Sequence, residues 1–132
     1  MAPDPQTLRL RRASHAEAAR AFAACQGLDP QGTATPESAA SAGECFQLEA
    51  ATGTLVYSVS AKAGRCWIHG AAGQGEGMTE AGLAVIEAQA EAAGCYCVEF
   101  QTMRRGLVKK ARARGYHITR AVGRGFILGK TL

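Results

Sequence analysis

Residues 66–102 read as strand, glycine-rich stretch, helix and strand, an order that few folds accommodate. Residues 66–71 keep the two-residue alternation of a strand and run into Gly70-Ala71-Ala72-Gly73-Gln74-Gly75-Glu76-Gly77. A helix follows over 79–93, with Leu83, Ile86, Ala90 and Ala93 on one face, and Gly94 stops it. The strand over 95–102 places Tyr96, Val98 and Phe100 on one side and Cys95, Cys97, Glu99 and Gln101 on the other. Upstream, strands over 45–50 and 55–61 flank a turn near Thr52-Gly53. With 66–71 they predict a three-stranded antiparallel meander.

The two ends complete the pattern. Leu8 and Leu10 alternate with polar neighbours, so 7–12 reads as a strand. Ser14 to Glu17 is a capping box, in which the hydroxyl and the carboxylate satisfy the free amides of a helix start. That helix runs to about residue 26 and closes at Gly27. A loop over 29–35 leads to Thr35-Pro36-Glu37, the start of a short helix that ends at Gly43. After residue 102 come a basic helix over 104–114, ending at Gly115, and a closing hairpin of 116–122 and 126–130. The exposed edge of that hairpin is a place for a second copy of the chain to pair.

With 132 residues, 47% of them hydrophobic, the chain reads as one domain over 1–132 that folds without metal or disulfide staples. No apolar run approaches the roughly 18 residues that cross a bilayer, and residues 1–11 lack the apolar core of a secretion signal. No membrane association is expected, and the cytoplasm is the expected location. The five cysteines, Cys25, Cys45, Cys66, Cys95 and Cys97, are odd in number and irregularly spaced, which suits reduced, buried thiols. A zinc set of Cys66, His69, Cys95 and Cys97 lacks the two-residue gap that seeds such sites, so no metal is expected.

Charge is unevenly divided. Residues 1–99 carry six basic against eleven acidic side chains, a net of −5, whereas 100–132 carry nine basic and no acidic ones. The last quarter is therefore a candidate surface for nucleic acid, a cofactor phosphate or an acidic protein.

Glycines followed by a helix start present amides and a partial positive charge to a phosphate. A nucleoside triphosphate loop is excluded, because no Lys-Ser or Lys-Thr follows Gly77. A dinucleotide unit does not fit either, since the glycines miss G-x-G-x-x-G and the preceding strands read as antiparallel.

The order of elements over nearly the whole chain resembles the GNAT superfamily, the GCN5-related N-acetyltransferases, in a short member with degenerate motifs and a bacterial or prophage character. The resemblance implies an α/β fold: a mixed, mostly antiparallel sheet of six or seven strands flanked by about four helices. In that family R/Q-x-x-G-x-G/A holds the pyrophosphate of acetyl-CoA, and Ala72-Gly73-Gln74-Gly75-Glu76-Gly77 takes its place here. Both glycines match, but Ala72 replaces the Arg or Gln, and Glu76 sets a negative charge beside the phosphates. After the fifth strand, Gly115-Tyr116 replaces Gly-Phe, Arg104 stands where Asn is usual, and Ala111 stands where the tyrosine general acid is usual.

The resemblance implies acetyl-CoA, or another acyl-CoA, held by Ala71, Gly73, Gln74, Gly75, Glu76, Gly77 and Met78, with Arg104 and Arg105 reaching a phosphate. It implies direct acetyl transfer to an amine of unknown identity, read by loops around 28–44. Backbone groups near 69–71 would polarise the acyl carbonyl, and His69 or Glu99 would serve as base. The simpler roles are a hydrogen-bonded strand histidine and a surface carboxylate balancing the basic helix. Trp67 and Tyr96 read as core. The rival function is a non-catalytic protein of the same fold that binds nucleic acid or an acidic protein through its basic quarter, or a phage accessory protein.

Overall fold

A computed structural model describes residues 8–24 and 35–132. Seven strands form one mixed sheet: β1 (Arg9–Arg12), β2 (Glu44–Ala50), β3 (Gly53–Lys62), β4 (Arg65–Gly75), β5 (Cys97–Thr102), β6 (His117–Val122) and β7 (Gly125–Thr131). Their order is β1-β2-β3-β4-β5-β7-β6. All neighbours are antiparallel except β4 and β5, whose parallel pairing requires a crossover; α3 (Met78–Ala92) supplies it. The other helices are α1 (His15–Ala23), α2 (Pro36–Ser41) and α4 (Arg105–Ala113).

Local chemistry explains the helix starts. Ser14 and Glu17 form the reciprocal capping box at α1. Thr35 and Ser38 form a second one at α2, with Pro36 where its missing N–H costs nothing. The expected extension of α1 to residue 26, its closure at Gly27, Cys25 and the loop as far as residue 34 lie outside the described residues, as does Thr7.

Two layers cover the sheet. On one face α3 and α4 bury Tyr57, Ile68, Leu83, Ile86, Val98, Phe100 and Leu128 in the main core. On the other, α1 and α2 pack Ala18, Phe22 and Ala40 against Cys45 and Ala72. Burial of each large apolar side chain stabilises by roughly 1.5–3 kcal/mol.

Three expectations need correction. The strand expected over 66–71 does not end at Ala71: β4 continues through Gly75, pairing Leu55 with Gly73 and Gly53 with Gly75, so only Glu76 and Gly77 remain before α3. The reason is close backbone approach. A Cβ on Gly75 would lie 2.1 Å from the Thr52 carbonyl oxygen, and one on Gly73 would lie 2.5 Å from that of Thr54. Tyr96 is 53% exposed rather than core, because β5 begins at Cys97 and the strand alternation does not reach back to it. Leu10 is also exposed, whereas Leu8 packs beside Leu48 and Met78. Trp67 is half-buried.

Candidate active site

The site is set by a fault in the sheet. Ser58 pairs with Gly70 but Val59 pairs with Ile68, so His69 is an extra, unpaired residue, a β-bulge. At the same level the parallel pairing of β4 with β5 ends at Ile68 and Phe100, although both strands run on, to Gly75 and Thr102. The two strands diverge from there.

On the α3/α4 side the divergence opens into a cavity of about 340 Å³. Its apolar walls are Leu55, Ile68, Met78, Leu83, Phe100 and Leu107. Gln74, Thr79, Arg104 and Lys110 give it a polar rim, and Gly106 at the start of α4 keeps one wall low. Of the residues singled out from sequence for cofactor binding, Ala71, Gly73, Gln74, Gly75, Met78 and Arg104 line this cavity. Glu76 and Gly77 form the turn behind it, Gly77 with the left-handed backbone (φ +75°) that caps α3. Arg105 is exposed and does not line the cavity.

His69 and Glu99 are not among the cavity walls. His69 is half-buried, and its Nε2 lies 2.7 Å from the Ser60 hydroxyl on β3. Burial pushes the imidazole below its ordinary pKa, so the ring is neutral at neutral pH. Glu99 alternates with the buried Val98 and Phe100 and therefore sits on the opposite sheet face. Both of its oxygens accept from Arg65, at 2.8 Å each, and this partner holds the carboxyl below the usual carboxylate range. Gln101 follows on the same face, with its amide nitrogen buried and lacking a hydrogen-bond partner among the described residues.

Solved structures of acetyltransferases share this fold at low sequence identity. A Bacillus subtilis acetyltransferase in complex with CoA superposes with a TM-score of 0.71 at 15% identity, over 95% of this chain and 99% of that one. An acetyltransferase of the GNAT family from Listeria monocytogenes superposes at 0.60 and 10% identity, covering 95% of each chain. The chain has the GNAT fold. An aminoglycoside 6′-acetyltransferase type Ii shares the fold too, with a TM-score of 0.63 at 7% identity over 93% of this chain and 96% of that one. No protein-family model matches the sequence, and no curated protein matches it.

Among the described residues no tyrosine lines the cavity. Ala111 is fully buried. Tyr57 donates to Gln89 at 2.6 Å and Tyr116 to Glu87 at 3.0 Å, and burial raises both phenols. The basic quarter also differs from its sequence reading, because it is partly turned inward. Glu87 on α3 accepts from Arg114 at 2.9 and 3.0 Å, from Lys130 at 3.1 Å and from Tyr116, and Lys110 lies 3.9 Å from Glu80. No helix among the described residues is long and apolar enough to cross a membrane. Cys66 and Cys95 pack together in the main core, and the Cys97 thiol faces Glu99. Among the described residues no cluster suits a metal ion.

Sequence reasoning missed Leu55, Gly106, Leu107 and Lys110 as cavity walls. The spacing of Leu107, Lys110 and Ala111 on one helical face is the signal that could have placed α4 against the cavity.

Proposed function

We propose that the protein transfers an acyl group from a pantetheine thioester of the acyl-CoA type, acetyl-CoA in the simplest case, to an amine. The observation that carries this is the coincidence of the bulge at His69 with the divergence of β4 and β5 above an apolar cavity. The residues present fit the pantetheine part: Leu55, Ile68, Phe100 and Leu107 offer an apolar sleeve, with Arg104 and Lys110 at its rim. When bound, the thioester supplies the acyl group: a C–N bond forms to the amine, the C–S bond breaks with its electron pair leaving on sulfur, and the surplus amine proton ends on the thiol.

Beyond Ile68, β4 has no strand partner on the β5 side, so its backbone groups around residues 69–71 serve to align the arm and polarise the acyl carbonyl. His69 is the better base of the two candidates. A neutral imidazole held by Ser60 takes a proton at neutral pH, whereas the carboxylate of Glu99 is bound to Arg65 and is a weak acceptor. Glu99 and Arg65 act as a positioning pair on the acceptor face, and Gln101 supplies a hydrogen-bond donor there.

Calorimetric titration with acetyl-CoA tests the reading, together with mass-spectrometric detection of acetylated product from a panel of primary amines. Gly106→Trp is the informative variant, because Gly106 lines the cavity and a Cβ there meets nothing within 4 Å, so a bulky side chain is introduced at the cavity wall without a backbone clash. Saturable binding that this variant abolishes supports the proposal. Absence of binding by the folded native protein refutes it.

A further inference from the structure

The mouth of the cavity is built unlike a nucleotide site. β4 stays paired with β3 to Gly75 and α3 is capped at Gly77, so only Glu76 and Gly77 connect strand to helix, and one of the two is an acid. Its charges cancel. Arg104 and Lys110 line the mouth, but Glu76 sits between Gly75 and Gly77, and Glu80 occupies the first turn of α3, 3.9 Å from Lys110. Carboxylates at a helix N-terminus take up the partial positive charge that an incoming polyphosphate would use. Beside the mouth, the outer face of α4 has the opposite character. Arg105, Lys109 and Arg112 recur at i, i+4 and i+7, all three exposed, and they form one stripe next to the cavity residues Gly106 and Lys110. Exposed Arg120 and Arg124 extend the same sign, and no acid occurs after Glu99.

From this division of charge we propose that the acyl donor is carried on the phosphopantetheine arm of an acidic carrier protein, which docks on the stripe of Arg105, Lys109 and Arg112 while the arm enters the cavity. The inference rests on the acyl-transfer reading above and leaves its chemistry unchanged, with the thiol of the arm as leaving group. A carrier arm brings one phosphodiester to the two cations Arg104 and Lys110, the second already facing Glu80, whereas CoA brings a pyrophosphate and a ribose phosphate to the same two. The stripe then steers and orients the acidic surface of the carrier, a role that exposed charges perform well.

The experiment compares three acetyl thioesters by calorimetry at low ionic strength: acetyl-pantetheine, acetyl-CoA, and an acidic acyl carrier protein acetylated on its arm. Acetyl-pantetheine and acetyl-CoA bind within about threefold of each other, and the loaded carrier binds about tenfold tighter, a gain of about 1.4 kcal/mol. Arg105→Glu combined with Lys109→Glu, both at exposed positions, removes the gain of the carrier and leaves acetyl-pantetheine unaffected, which also shows that the variant is folded. Acetyl-CoA binding tenfold tighter than acetyl-pantetheine overturns the proposal and leaves acyl transfer standing. So does a carrier that binds no better than acetyl-pantetheine. Duplex DNA that displaces the loaded carrier at equal charge concentration overturns it in favour of a nucleic-acid surface. Failure of all three thioesters to bind overturns both readings together.

Discussion

Replacing Glu87 by Gln keeps the shape of the side chain and removes the charge that holds three elements together. The native carboxylate sits on α3, 8% exposed, and accepts from Arg114 beyond α4, from Lys130 on β7 and from the Tyr116 hydroxyl. Glutamine offers one acceptor oxygen and turns an N–H₂ toward two cations. Removing one partner of a buried pair costs about 3–5 kcal/mol. Arg114 and Lys130 retain 34% and 24% side-chain exposure and can partly rehydrate, so the lower end applies, about 3 kcal/mol. At roughly 2.1 cal/mol/K per residue, a chain of this size loses about 11 °C in Tm. Burial alone would raise the Glu87 pKa, but the hydrogen bonds from Arg114, Lys130 and Tyr116 together outweigh it and hold the carboxyl below the ordinary range. Its contribution is therefore complete above the unfolded carboxylate pKa and is lost as pH falls through the lower folded value. Thermal unfolding followed by circular dichroism at a series of pH values checks both parts. A Tm change under about 4 °C at neutral pH, or a gap between native and variant that does not close in acid, refutes the reasoning.

Three other outcomes follow from the same geometry. Gly75→Ala destabilises the fold rather than only a ligand site, by several kcal/mol of strain and hairpin loss, because φ is +117° and the new Cβ meets the Thr52 carbonyl oxygen at 2.1 Å; urea unfolding measures it. The acidic limb of the kcat profile has its midpoint below the ordinary histidine value, since burial lowers the His69 pKa, and His69→Gln abolishes that limb while leaving acetyl-pantetheine binding intact. Cys66, whose thiol burial raises to about 11, reacts with iodoacetamide at pH 7 far more slowly than an unfolded control, and equal rates would contradict its place in the core.

Much of the architecture was legible because hydrophobic period and capping chemistry are local. Ser14 with Glu17 and Thr35 with Pro36 marked two helix starts, and Leu83, Ile86 and Ala90 marked the buried face of α3. The site was less so. Gly73 and Gly75 read as turn formers by composition, but their lack of a Cβ serves close strand pairing, and sequence does not distinguish these uses. The bulge at His69 was hidden although Gly70 follows it, because it arises from the register of β3 against β4 and Gly70 read as the first of the glycine stretch. The inward turn of Arg114 and Lys130 was hidden for a similar reason: their partner Glu87 lies 27 and 43 residues away in sequence. A run of basic residues after residue 100 looks uniform until the fold divides it into a half-buried pair on Glu87 and an exposed stripe.

The central claim is that the divergence of β4 and β5 receives a pantetheine thioester. Backbone amide shifts recorded by nuclear magnetic resonance during titration with acetyl-pantetheine test it most directly. Perturbations concentrated at Ile68, Ala71, Phe100, Gly106 and Leu107, and absent in Gly106→Trp, are the predicted result. Perturbations confined to residues remote from these strands, or none at saturating ligand, would contradict the account.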